Sequence, residues 1–429
     1  MKILTTAQFS LPVILQKIAR KRSQESDVLN IVQPVVNAVQ KRGDAALKEF
    51  TKKYDGAEVN SFKVSPAEVR AAYREISPEV IRALKKAAKA IEKFHKTHIE
   101  RKSKEIQTIR GVTVWREFRP IEKVGLYIPG GTASYPSTVL MNAIPARVAG
   151  CRQIILCTPP NRAGQCNPGV LVAADLCAVS MIYKVGGAQA IAAMAYGTET
   201  IPQVYKIFGP GNQYVTTAKM MVFGQVAIDQ PAGPSEVAVI ADESVNPNWI
   251  AADLLSQMEH GENSQALLVT PSFKFGKNVI QAVLRQIKTL PRKTIIQQSF
   301  ARSFVVVVRT LKEATQLVNE YAPEHLEIVL KNGEGSVLKR IQNAGSVFLG
   351  KYSTEPLGDY ATGSNHTLPT AGYAKMFPPL STEAFGKMMQ IQRVNQIGLK
   401  ALKETVEQLA NYEGLGAHAR AVSIRFSQH

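Results

Sequence analysis

KVGLYIPGGTASYPSTVLMNAIPARVAGCRQIILCTPP, residues 123–160, decides the fold class. A short β-rich run at 124–128 leads through a turn of glycine and proline into a helical pattern over 137–150. A second β-rich run follows at 153–157. The alternation continues downstream, with strand patterns at 182–185 and 204–208 and helical patterns at 168–179, 188–196 and 212–223. Strands separated by helix-length segments cannot form hairpins; they form a parallel sheet with crossover helices. A strand-like pair at 226–229 and 237–240 closes this segment.

Working outward, a second alternating stretch begins where Asn246-Pro247 opens a helix that Gly261 stops. Strand patterns at 266–269, 304–308, 326–330 and 346–349 alternate with helical patterns at 279–290 and 311–321. Upstream, Val32, Val35, Val36 and Val39 recur at helical spacing up to Gly43-Asp44, and Ser65-Pro66 and Ser77-Pro78 each start a further helix. The expected fold is α/β, two Rossmann-like parallel-sheet domains with helical N-terminal and C-terminal extensions. The expected boundaries are an arm at 1–22, a first domain of 23–123 with 237–379, a second domain of 124–236, and a helical segment at 380–429.

A chain of 429 residues suits two or three cores rather than one. With 45% hydrophobic and 20% charged residues it reads as globular, not disordered. No run of about 20 apolar residues occurs, so no membrane span is expected. The N-terminus lacks the apolar region and cleavage site of a signal peptide, which points to the cytoplasm. The four cysteines, Cys151, Cys157, Cys166 and Cys177, match no zinc-knuckle spacing and read as buried and reduced. The net charge of +18 is compatible with nucleic acid, an anionic membrane surface or anionic small molecules, but the Lys and Arg residues are spread along the chain rather than gathered in a patch. Its densest run, 93–104, reads as a solvated helix face.

Of the seven histidines, His95, His98 and His429 sit in charged or terminal surroundings and read as surface. The other four stand beside acids, amides and glycines. Gln257 and His260, three apart near a helix end, can point one way at a metal or substrate; capping of the helix end is the plain alternative. Glu324-His325 sits at a helix-to-strand junction, where an adjacent acid and base can serve two proton transfers, or simply cap. Asp359 and His366 lie in GDYATGSNH and suit a borderline metal such as zinc, although turns also collect Asp, Asn and Gly. Glu413 and His418, in EGLGAH, reach a site only if the tail folds back or meets another subunit. The glycine turns at 125–131 and 209–212 each follow a strand and precede a helix, where backbone N–H groups bind phosphate. Neither is a G-x-G-x-x-G motif.

GLYIPGG, PSTVLMNAIPARVAG, KVGGAQAIAAMAYGT, GPGNQYVTTAK, AGPSEV, AADLLSQMEHG, YAPEHLEI, GDYATGSNH-LPT and EGLGAH, in this order, closely resemble the histidinol dehydrogenase family from about Val32 to the C-terminus. The resemblance implies oxidation of L-histidinol to L-histidine through an aldehyde, using two NAD and water, with one zinc per site. It implies zinc ligands at Gln257, His260, Asp359 and His418, and a homodimer in which Glu413 and His418 serve the partner subunit's site. It further implies Glu324 and His325 as the catalytic pair, with His325 as base for hydride transfer and Glu324 activating water. Ser235, His366 and Glu413 match substrate contacts; Tyr127, Gln189 and Asn212 match NAD contacts. Tyr205 and Gln230 depart from the family pattern, beside motifs rather than within them. No cysteine falls in a motif, so a thiohemiacetal is not supported.

Two other classes compete with this reading. A zinc hydrolase or deaminase would use the His, Asp, Gln and Glu set but leaves the glycine turns without purpose. A nucleic-acid binder would use the basic surface, yet aromatic-basic interleaving and known binding motifs are absent. Neither nucleic acid nor membrane is an expected partner.

Overall fold

The computed structural model describes residues 1–20, 25–97, 99–130, 135–230 and 233–426; His98, Gly131 and His429 fall outside them. The chain forms two units, one of Met1–Thr97 with Ile121–Phe385 and one of His98–Pro120 with Gly386–His429. The strands in chain order begin with β1 (Lys2–Thr5), β2 (Ile106–Ile109), β3 (Val112–Pro120), β4 (Lys123–Tyr127) and β5 (Gln153–Thr158). There follow β6 (Met181–Lys184), β7 (Lys206–Phe208), β8 (Ala227–Ile228), β9 (Glu236–Ala241) and β10 (Gln265–Thr270). The last are β11 (Phe304–Val307), β12 (His325–Val329), β13 (Ser346–Leu349) and β14 (Gly386–Val394).

The larger unit holds two parallel sheets. One has five strands in the order β6-β5-β4-β7-β8; the other has six, in the order β1-β11-β10-β9-β12-β13. The strand-like pair expected at 226–240 is therefore split, β8 closing one sheet and β9 standing inside the other. Chain order reverses between β4 and β7 in the first sheet and between β9 and β12 in the second, and such reversals open a crevice at the sheet edge.

Period-two alternation builds both faces of the six-stranded sheet. Val237, Val239 and Ala241 of β9 pack with Leu254, Met258 and Val279 on one face. Ala238 and Ile240 pack with Ile14, Ile18 and Leu317 on the other. A strand buried on both sides is apolar throughout, as EVAVIA is after its first residue. The residues read as an N-terminal arm thus add an edge strand and a covering helix, Leu11–Ile18. Val28, Val32, Val35, Val36 and Val39 bury their helix face with Ile155, Ile191 and Ile207 of the five-stranded sheet.

The smaller unit was not read from the sequence as β structure. β14 pairs antiparallel with β3 along its whole length, Gly386 opposite Pro120 and Val394 opposite Val112, and β2 extends the sheet. The segment from 380 is therefore strand before it is helix, with helices Gln396–Tyr412 and Gly416–Ser423 following. VTVWREFRP carries charges among its apolar residues, and its buried positions, Val112, Trp115 and Phe118, fall three apart rather than alternating, which hides a strand period. The run at 93–104 also differs from the expectation: its helix ends at Lys96. His95 is 1% exposed because Leu84, Ile91 and His95 share the buried face. Its Nδ1 pairs with Thr382 Oγ1 at 3.1 Å.

Candidate active site

The helix Pro247–Met258 starts on an Asn246 cap and runs back from the end of β9, so its C-terminus arrives at the amino edge of the six-stranded sheet. That end carries Gln257 and His260. Gln257 is fully buried, and among the described residues neither its amide oxygen nor its amide nitrogen has a hydrogen-bond partner. An orphaned primary amide in a core costs on the order of 1–3 kcal/mol unless something else occupies it. His260 lies just beyond the helix, its N–H donating to Gln257 O at 3.3 Å, and burial holds its imidazole below the usual range.

The short helix Glu355–Tyr360 brings Asp359 to the same place. Ligand atoms of His260, Glu355 and Asp359 all fall within 4.8 Å of one another. Glu355 was not singled out in the sequence; its spacing of four from Asp359, on one helix face, was the available clue. It is 1% exposed. Ser256 Oγ donates to its Oε2 at 3.0 Å, while its Oε1 has no hydrogen-bond partner among the described residues.

Glu324 and His325 stand at the entrance to β12, both buried. The backbone of Glu236, at the start of β9, holds both: its N–H donates to Glu324 Oε2 at 2.9 Å and its carbonyl lies 3.2 Å from His325 Nδ1. A carbonyl can only accept, so Nδ1 carries a proton and Nε2 is the atom free to exchange one. Among the described residues Nε2 has no hydrogen-bond partner, and it lies 3.7 Å from both Glu355 Oε1 and Asp359 Oδ1.

The electrostatics express a shortage of positive charge. Burial pushes Glu324 up to about 8 against the opposing pull of His325, and burial followed by the Asp359 charge pushes Glu355 up to about 8. Burial disfavours the His325 cation, yet Glu324, Asp359 and Glu355 together lift it to about 10. Burial also works against Asp359, but His325 and His366 outweigh it and hold the carboxyl below its usual range. Several buried carboxylates, an orphaned amide and an imidazole are what a divalent cation needs, so Gln257, His260 and Asp359 fit a metal.

His366 joins the cluster through backbone and hydroxyl contacts. Its Nδ1 donates to the Asp359 carbonyl at 3.1 Å, which leaves Nε2 to accept from Thr138 Oγ1 at 3.2 Å. A cavity of about 60 Å³ adjoins it, lined by Gly209, Pro210, Asp229, Ser235, Glu324 and His366 among others. The carboxyl edge of the five-stranded sheet thus faces the amino edge of the six-stranded one. Tyr127 ends β4, and its hydroxyl accepts the Gly187 N–H at 3.1 Å. Gln189 is buried in the first turn of the helix after β6, with its amide nitrogen unpartnered among the described residues, and Asn212 caps the helix after β7. Glu413 and His418 belong to the smaller unit, at the end of one helix and within the next, and both are exposed.

Residues 18–426 match the family model described as histidinol dehydrogenase. The histidinol dehydrogenase of Bacteroides fragilis is 49% identical over 406 residues, 94% of each chain. That of Methanocaldococcus jannaschii is 46% identical over 409 residues, 95% of each. A crystal structure of histidinol dehydrogenase from Elizabethkingia anophelis superposes with a TM-score of 0.95 at 45% identity, covering 99% of this chain and 98% of that one. The chain therefore belongs to the histidinol dehydrogenase family of oxidoreductases, which act in histidine biosynthesis.

Proposed function

We propose that this chain oxidises L-histidinol to L-histidine through L-histidinaldehyde, with Glu324 and His325 as its acid–base pair. The observation that carries the proposal is the pinned imidazole. Glu236 O holds Nδ1, and Nε2 is left unpartnered among carboxylates. A cation held beside Asp359 would offset the carboxylates that lift His325, leaving Nε2 unprotonated. In the first step Nε2 then takes the hydroxyl proton while the carbinol carbon gives hydride to NAD. Water then adds to the aldehyde, with Glu324 receiving its proton. A second hydride leaves the hydrate as His325 again takes a hydroxyl proton. One alcohol, one water and two NAD yield one carboxylate, two NADH and three protons, so the pair must be reset between steps.

Gln257, His260 and Asp359, with His418 from a second copy of the chain, would hold zinc. When bound, the ion supplies a Lewis-acid anchor for the substrate's imidazole and amine, fixing the carbinol beside His325. Ser235, His366 and Glu413 would contact substrate. Tyr127, Gln189 and Asn212, all at the carboxyl edge of the five-stranded sheet, would contact NAD, each redox step being served at that edge. In this reading 124–236 is the NAD side, 237–379 with 23–123 carries the metal and catalytic loops, and 380–429 completes the partner's site in a homodimer. A cytoplasmic setting agrees with four free cysteines, and no described helix is long and apolar enough to cross a membrane.

The test is NAD reduction with L-histidinol by native, chelator-stripped and zinc-restored enzyme. Two NADH per histidinol, lost on stripping and regained with zinc, support the whole scheme. Absence of NADH from folded, zinc-loaded protein overturns it.

A further inference from the structure

Glu236 supplies the backbone that aims the catalytic pair, and its own side chain is almost fully buried at 1% exposure. A carboxylate placed there at the mouth of a parallel strand needs partners. One is the Ala371 N–H, which donates to Oε1 at 3.1 Å. The other is Arg20, whose Nε forms an ion pair with Oε2.

Arg20 does more than neutralise that charge. Its Nη2 donates to the Tyr321 carbonyl at 2.5 Å and lies 3.5 Å from the Ala322 carbonyl. Its guanidinium stacks 3.8 Å over the Tyr321 ring, and the Tyr321 hydroxyl donates to Gln265 Oε1 at 2.7 Å. Residues 321–325 form the turn that delivers Glu324 and His325 to β12. Within it Ala322 adopts φ +49°, a conformation an L side chain disfavours and which its surroundings must maintain.

We infer that Arg20 is a positioning residue for the reaction: its planar guanidinium ties the 321–325 turn, which carries the catalytic pair, to Glu236, whose backbone orients both side chains. The inference rests on the assignment of Glu324 and His325 in the proposed function. Neither Arg20 nor Glu236 touches the reacting atoms. Their effect is the registry of two backbones, one ending a helix and one starting a strand, at a site where a displacement of about 1 Å can cost 10²-fold in rate. A flat fork with several donors can satisfy a carboxylate and a carbonyl together; an ammonium holds the charge but not that geometry.

The experiment compares Arg20→Gln, Arg20→Lys and Glu236→Gln with Glu324→Gln and His325→Asn, in zinc-loaded enzyme, for kcat, KM for histidinol, zinc content and thermal midpoint. The inference expects Arg20→Gln and Glu236→Gln to lose kcat roughly 10- to 100-fold, with KM and zinc content close to native. Arg20→Lys, which retains the pair with Glu236, should recover part of that loss. Glu236→Gln keeps the shape of the side chain, so it carries the test if Arg20→Gln does not fold. Native kcat in folded Arg20→Gln or Glu236→Gln, while Glu324→Gln and His325→Asn are inactive, overturns the positioning role and leaves the catalytic pair standing. Native activity in Glu324→Gln and His325→Asn overturns both.

Discussion

In the proposed reaction His325 concentrates the demands on one side chain. Nδ1 is committed to Glu236 O, so exchange must pass through Nε2. Replacing it by asparagine preserves some polarity but removes the base, and steady-state NADH formation should fall about 10²- to 10⁴-fold. A native rate in this variant, with zinc bound, would falsify the assignment. The buried Glu236 carboxyl makes stability depend on pH. Burial pushes its carboxyl up to about 7, with Arg20 pulling the other way and Glu324, His325 and Tyr321 also facing it. Because the folded value lies above the unfolded one, the folded state binds the extra proton. Its contribution to stability is present below the unfolded value and is lost as pH rises through about 7. Thermal midpoints measured from pH 5 to 8 should therefore decline more steeply in the native enzyme than in Glu236→Gln. Parallel curves would contradict the assignment of that slope to Glu236.

The glycine turn after β7 shows what an element boundary contributes. Gly209 has φ +113°, and a Cβ there would lie within van der Waals overlap of the Tyr127 backbone, since Tyr127 O would be 2.1 Å away. β4 and β7 are neighbours at the reversal point, and their ends can approach this closely only with no side chain between them. Gly209→Ala must part the two strand ends, so KM for NAD should rise and the thermal midpoint fall, while zinc content stays native. An unchanged KM would remove this edge from the cofactor site. The helix Pro247–Met258 offers a second check. Leu254 is fully buried against β9, and Leu254→Ala should cost about 2–5 kcal/mol in denaturant unfolding. Its effect should reach zinc affinity as well, because Gln257 and His260 stand at the end of the element it loosens.

In the whole molecule, the two sheets of the larger unit face each other, one edge offering glycine turns and the other Glu324 and His325 beside His260, Glu355 and Asp359. Glu413 and His418 lie on the smaller unit. If His418 completes the zinc site of a second copy, His418→Asn and His325→Asn subunits should complement each other. Random mixing after dissociation would leave about a quarter of the sites intact, because half the dimers are mixed and each mixed dimer has one good site. Recovery of about a quarter of native NADH formation supports sharing in trans. No recovery after proven subunit exchange would assign His418 to its own chain's site.

Much of this architecture is legible in the amino-acid sequence. Parallel α/β architecture followed from strand runs spaced by helix-length segments, because such spacing forbids hairpins whatever the side chains do. Helix starts at Ser65-Pro66, Ser77-Pro78 and Asn246-Pro247 were readable because capping is a local matter of one side chain and a few N–H groups. The motif residues Gln257, His260, Glu324, His325, Asp359 and His366 were named from local composition and family resemblance. Their meeting at one sheet edge was decided by the fold. Which sheet the 28–39 helix covers, the inward turn of His95 and the β14–β3 pairing were also tertiary decisions, each depending on a partner distant in the chain. So too were the roles of Glu355, Glu236 and Arg20. A charged residue in a sequence carries no mark of burial; only packing takes water from it and obliges it to find the few partners the interior allows.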